Sequence, residues 1–151
     1  MEVDGDMDIQ LINDNLLSVL RWKARESERK RMNHDLRTTQ ADTSQRMLNA
    51  LEPNTEVPIH RHLQTSETVI CLEGCLDEVF YEELPNMDAG GPILKDNETV
   101  ADRSHFVEVA RFRLCPAEKK YGIQIPLGVW HTVKVHEPSV IFEAKDGAYQ
   151  G

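Results

Sequence analysis

Apolar residues recur at helical spacing near the start of the chain. Ile9, Ile12, Leu16, Val19 and Leu20 form one stripe of a 3.6-residue period. With Asp8 as a cap and no Gly or Pro inside, the pattern predicts an amphipathic helix from residue 9 to about 27. Its end is basic, with Arg21, Lys23, Arg25, Arg29, Lys30 and Arg31, and cations suit a helix C-terminus. From residue 45 the period changes to two, until Pro53-Asn54 breaks the run. Short β-type segments follow at Val57–His62, Thr68–Leu72, Leu76–Glu82, Phe106–Leu114, Gly122–Ile125, His131–Val135 and Val140–Ala144. Gly74, Pro85-Asn86, Gly90-Gly91-Pro92, Pro116, Pro126, Gly128, Pro138 and Gly147 separate them as turns. A leading helix and many short strands predict an all-β sandwich or barrel. The division expected is an N-terminal helix, 1–28, and a single barrel domain, 29–151. The polar, Gly/Pro-marked stretch 85–105 is expected to be a surface loop or a lid.

The length of 151 residues supports one domain with its own core. Lys and Arg total 17 against 26 Asp and Glu, a formal net charge of −9. That balance repels phosphate backbones and anionic lipid, which argues against nucleic-acid and membrane-surface partners. The acidic start, Met1-Glu-Val-Asp-Gly-Asp6, does not resemble a secretory signal, so a cytoplasmic protein is expected. Three cysteines, Cys71, Cys75 and Cys115, do not make a disulfide framework and are read as small buried hydrophobes.

The chemistry concentrates in His60-Arg-His62-Leu-Gln-Thr-Ser-Glu67. On a strand, His60 and His62 share a face, and imidazoles are good ligands for Zn, Fe, Cu and Ni. If the next segment pairs back as a hairpin, Glu67 returns to that face as a third ligand. Far along the chain, Pro126-Leu-Gly128-Val-Trp130-His131 delivers His131 to the start of a β segment. A single His on a strand is more often a hydrogen-bonded structural residue than a ligand, and the weight lies in the combination.

That combination resembles the two motifs of the cupin superfamily. His60, His62, Glu67 and Gly74 match every spacing of the first motif. Pro126, Gly128 and His131 match the second, although Gly122 sits too close to Pro126 and Val135 stands where the motif has Asn. A closer resemblance is to the WbuC family of cupin-fold metalloproteins. It is carried by Gln45–Pro53, Val57–His62, Ile125–Thr132, the tail Phe142–Tyr149 and the basic segment Arg29–His34. The resemblance implies a cupin (double-stranded β-helix or jelly-roll) barrel holding one divalent transition metal, Fe, Zn, Mn or Ni, through His60, His62, Glu67 and His131. Three imidazoles and a carboxylate would leave an octahedral ion two open positions.

Further roles follow from position and resemblance. Arg31, Asn33, Gln64, Trp130 and Lys145 are candidates for substrate contact, and Glu143, His34 and Tyr149 for proton transfer. For each, a structural role competes: Gln64 as a turn residue, Trp130 as core, Arg31 as a helix end, Glu143 and Lys145 as a salt bridge. The implied function is an isomerase, epimerase or oxygenase acting on a small polar metabolite such as a sugar or sugar nucleotide, in bacterial surface-polysaccharide synthesis. The alternative is a non-catalytic, metal-containing module that binds or senses a sugar. A homodimer is expected because cupins often pair through sheet edges.

Overall fold

The computed structural model describes residues 7–85, 97–100 and 103–147. Most of the 85–105 stretch therefore lies outside the described residues, as does Tyr149. One helix, α1 (Asp14–Glu26), precedes eight strands: β1 (Arg31–Asp35), β2 (Ser44–Leu51), β3 (Ile59–His62), β4 (Glu67–Glu83), β5 (Asn97–Val100), β6 (Phe106–Leu114), β7 (Gly122–Ile125) and β8 (Trp130–Asp146). No described helix is long and apolar enough to cross a membrane.

The helix starts later than its apolar pattern predicts. Asn13, not Asp8, is the cap, and its side chain accepts a hydrogen bond from the Leu16 amide. Ile9 and Ile12 precede the helix and are exposed, as is Val19. The buried stripe is Leu17, Leu20 and Ala24, which packs on Leu48 and Ala50 of β2 and Val140 of β8. The helix thus seals the outer face of the β2–β8 pair.

Two long strands organise everything else. β4 and β8 run antiparallel from Glu67 opposite Lys145 to Tyr81 opposite Trp130. The sequence predicts a break in each, at Gly74 and at Pro138. Both instead continue as bent strands, because bulges between Cys71 and Leu76 absorb the register change. At the bend, Gly74 has φ +95° and presses against Pro138 and Ser139, where a side chain would collide with backbone. Only glycine has both the dihedral freedom and the missing Cβ that this close approach needs.

The bend folds the β4–β8 ribbon into two layers. β2 and β7 flank the halves that hold Glu67–Ile70 and Ser139–Asp146, with β1 beyond β2. β6 and β3 flank the other halves, with β5 beyond β3. Inward-facing residues of both layers meet in one core: Val69, Cys71, Ile125 and Ile141 from the first, Leu76, Phe80, Leu114 and Val135 from the second. The sheet does not close, since β6 and β7 each pair with β4 but not with one another. This is a cupin-type β-sandwich or jelly roll with an N-terminal helix.

Candidate metal centre

The two layers converge on a small polar cluster at one end of the sandwich. β3 supplies His60 and His62, and His60 sits directly opposite His131 of β8. The Pro126–Gly128 turn, with Gly128 at φ +79°, is fastened to the same strand by a 2.6 Å hydrogen bond from the Gly128 amide to the His62 carbonyl. The turn therefore fixes His131 relative to the His-x-His strand. Across the gap, Glu67 opens β4, facing inward on the same parity as Val69 and Cys71.

The geometry is that of a ligand set. Nitrogen atoms of His60, His62 and His131 lie within 4.8 Å of one another. Glu67 places one carboxylate oxygen 3.5 Å from His62 Nε2 and the other 3.8 Å from His131 Nε2. The Nδ1 atoms of His60 and His131 are each 2.9 Å from a backbone carbonyl, Pro58 O and Val129 O. A proton on Nδ1 donated there leaves Nε2 as a lone-pair donor, which is how metal-ligating imidazoles are oriented. His131 Nε2 is buried and makes no hydrogen bond. A buried acceptor left this way costs free energy unless something coordinates it. These donors fit a divalent transition metal, and the His60, His62 and His131 cluster could hold one.

Burial sets the protonation states. It drives the His60 imidazole down to about 3, assisted by His131, so His60 is neutral at ordinary pH. Burial also lowers His131. Burial alone would raise Glu67, but the His62 hydrogen bond and the neighbouring imidazoles outweigh it, and Glu67 stays ionised. Neutral imidazoles and an anionic carboxylate are the forms a metal requires.

The cluster opens onto an internal cavity of about 40 Å³. Its lining includes His60, Glu67 and His131, with two further acids, Glu78 and Glu143. Glu143 faces inward from β8, and burial beside the Glu67 charge pushes it up to about 8 despite a hydrogen bond from Asn49 and the nearby Lys145. Glu78 is 2% exposed, and burial, Glu67 and Glu143 raise it well above the ordinary carboxylate value. Sequence reasoning missed Glu78. Its signal was parity: it stands between Leu76 and Phe80, both inward-facing core residues, where an acid is out of place.

The other candidates are placed as follows. Lys145 is buried opposite Glu67, and its ammonium donates to the Gly147 carbonyl. Trp130 is buried against Phe106, with the Arg61 guanidinium 4.2 Å from its ring centre. Gln64 is exposed on the bend after β3. Arg31, Asn33 and His34 belong to β1, an edge strand paired to β2, and none lines the cavity. Arg31 donates to the Glu56 carbonyl, and His34 is hydrogen-bonded to Gln10. The structure therefore brings Glu143 to the metal-ligand cluster and leaves His34 on the edge strand.

A wider cleft, about 860 Å³, lies between β6 and β7, where the sheet fails to close. Phe80, Phe112, Ile123, Pro126 and Val129 line it, with Gln124 and Lys120 among its polar groups. Phe80 lies between it and the histidine cluster, its ring centre 6.1 Å from that of His131.

Similar proteins agree on the fold. The chain is similar to a cupin-2 domain containing protein from Shewanella frigidimarina, with 18% identity over 93% of this chain and 97% of that one, TM-score 0.52. It is also similar to a putative sugar phosphate isomerase from Acidithiobacillus ferrooxidans, with 15% identity over 77% of this chain and 58% of that one, TM-score 0.50. The capsular polysaccharide assembling protein CapF from Staphylococcus aureus matches at 15% identity and TM-score 0.48 over 72% of this chain, which spans only 24% of CapF. None of the curated proteins matches the sequence. Residues 12–89, just over half of the chain, match the family described as a domain of unknown function, DUF6016, and the chain belongs to that family.

Proposed function

We propose that His60, His62, Glu67 and His131 hold one divalent transition metal, and that the protein is a cupin enzyme acting on a small polar metabolite. The favoured substrate is a sugar or sugar derivative, and the favoured chemistry is isomerisation or epimerisation. The observation that carries this is the pairing of a metal-ligand set with two buried acids on one cavity. When bound, the metal would supply Lewis-acid polarisation of a substrate oxygen. Glu143, poised near neutrality, would hold or accept a proton beside it, and buried Glu78 would keep its proton as a donor.

The cavity of about 40 Å³ accepts an ion and a few water-sized groups, far below the 300–1,000 Å³ typical of ligand pockets. Only the reacting end of a sugar fits there; the cleft lined by Phe80 would receive its body only once the Phe80 ring turns aside. The WbuC resemblance and the putative sugar phosphate isomerase on the same fold support a sugar substrate. The exposed Val107 and Val109 on β6, which pairs only with β4 among the described residues, favour pairing with a second copy.

The small, enclosed cavity favours one alternative, a non-catalytic module in which the metal only anchors a ligand. The test is turnover of aldoses, ketoses, their phosphates and nucleotide sugars by metal-loaded protein. The enzyme reading expects one of them to be converted, and Glu143→Gln to cut kcat by about 10²-fold or more with metal content unchanged. Binding of a sugar without conversion would establish the module instead.

A further inference from the structure

A second set of metal-ligating side chains lies at the middle of β4, beside the Gly74 bend and apart from the histidine cluster. Cys75 Sγ, Cys115 Sγ and a Glu118 carboxylate oxygen all lie within 4.8 Å of one another. Their positions follow from the fold. Leu76 pairs with Leu114, so Cys75 and Cys115 are the next cross-strand neighbours. Cys115 then caps a short 3-10 turn, Pro116–Glu118, whose closing hydrogen bond runs from the Glu118 amide to the Cys115 carbonyl. That turn brings Glu118 back over the two sulfurs. Cys75 is held from the other side by its amide, which donates to Ser139 Oγ at 3.0 Å. Both thiols are buried and neither forms a disulfide, while Glu118 faces solvent.

We propose that Cys75, Cys115 and Glu118 form a second metal site, selective for a thiophilic ion such as Zn²⁺, with solvent as the fourth ligand. Two thiolates suit zinc, and they separate this site from the nitrogen and oxygen donors of the first. At a separation of 4.8 Å, an inward shift of about half an ångström or slightly more brings the ligand atoms to zinc-ligand distances of about 2.0–2.3 Å. The surrounding charges also suit the site. A dication on two thiolates and a carboxylate leaves one negative charge, and the Arg113 and Lys120 cations sit 3.5 and 3.3 Å from Glu118. Binding forms two metal–sulfur bonds and releases both thiol protons to solvent; no oxidant is involved. Cys75 lies five positions along β4 from Phe80, the residue opposite His131, which is about 16 Å of strand.

The test is Co²⁺ loading of the reduced, full-length chain, followed by absorption. Thiolate ligation gives an intense near-ultraviolet sulfur-to-cobalt band, which imidazole and carboxylate ligation does not. The proposal expects this band in wild type and in a His60→Ala/His131→Ala variant, displaced by stoichiometric Zn²⁺. It expects the band to vanish in Cys75→Ser/Cys115→Ser. In Glu118→Gln, a surface change that spares the core, the band should need about tenfold more Co²⁺. No band in reduced wild-type protein would overturn the proposal. So would a band that disappears with the two histidines, or Cys75 and Cys115 joined as a disulfide in freshly isolated protein that zinc does not protect.

Discussion

Gly74→Ala tests the bend that brings the two halves of β4 and β8 face to face. An added methyl group would lie within contact distance of Ser139 Oγ and Pro138 O, and 2.6 Å from Ser139 Cα. Ser139 is fully buried, so β8 itself must shift. The φ of +95° adds strain of about 1–2 kcal/mol for any L side chain. Overpacking against backbone adds about 1–3 kcal/mol. Weakening the buried Cys75–Ser139 hydrogen bond adds about 1 kcal/mol more. The expected cost is about 3–6 kcal/mol, a large share of the roughly 5–15 kcal/mol that stabilises a domain. Gly128→Ala is the control: its φ is +79°, but nothing lies within 4 Å of the new methyl, so only the dihedral cost of about 1–2 kcal/mol applies. Urea unfolding of both variants, followed by tryptophan fluorescence, separates the terms. Equal losses in the two variants would refute the close-approach argument and leave only backbone strain.

The other predictions concern the site and the helix. Glu143 has a folded-state pKa of about 8, raised from 4.5, so it stabilises the fold at low pH and loses that contribution as pH rises from about 4.5 to 8. Glu143→Gln should therefore flatten the pH profile of the chelator-treated protein and raise its stability at pH 8 by about 4–5 kcal/mol, each unit of the shift being worth about 1.4 kcal/mol; an unchanged difference between pH 5 and pH 8 in urea melts would count against it. Glu67→Gln should weaken metal binding at least about tenfold in competition titrations, because the anionic ligand is lost while the histidines stay. Leu20→Ala should cost about 2–4 kcal/mol in thermal or urea unfolding, since Leu20 is 3% exposed against the β2–β8 face. Loss of less than 1 kcal/mol would mean that α1 is only loosely docked.

The architecture was legible because alternation and turn residues report on strands locally. Leu48, Ile59, Val69, Leu76 and Ile141 fall in predicted strand segments and are buried. What was missed depends on tertiary context. Gly74 and Pro138 look like chain reversals, yet the ladder carries β4 and β8 through them as bends. Ile9 and Ile12 fit the helical period, but Asn13 starts the helix after them and leaves both exposed. The segment Arg31–Asp35 has no strong alternation, and pairing with β2 makes it a strand. At the site, the His-x-His, Glu and Pro-x-Gly-x-x-His spacings brought forward four residues that the fold does gather. Glu78 was hidden because its place on the cavity shows only when both layers are assembled. The juxtaposition of Cys75 with Cys115 depends on strand register, which spacing along the chain does not reveal.

The proposed hold of His60, His62, Glu67 and His131 on a metal is tested by elemental analysis of protein purified without chelator or affinity tag, beside His60→Ala/His131→Ala. One equivalent of Fe, Mn, Ni, Co or Zn, missing from the folded double variant, is the predicted result. Identical metal content in the two proteins, with none gained by wild type alone on adding these ions, would contradict it.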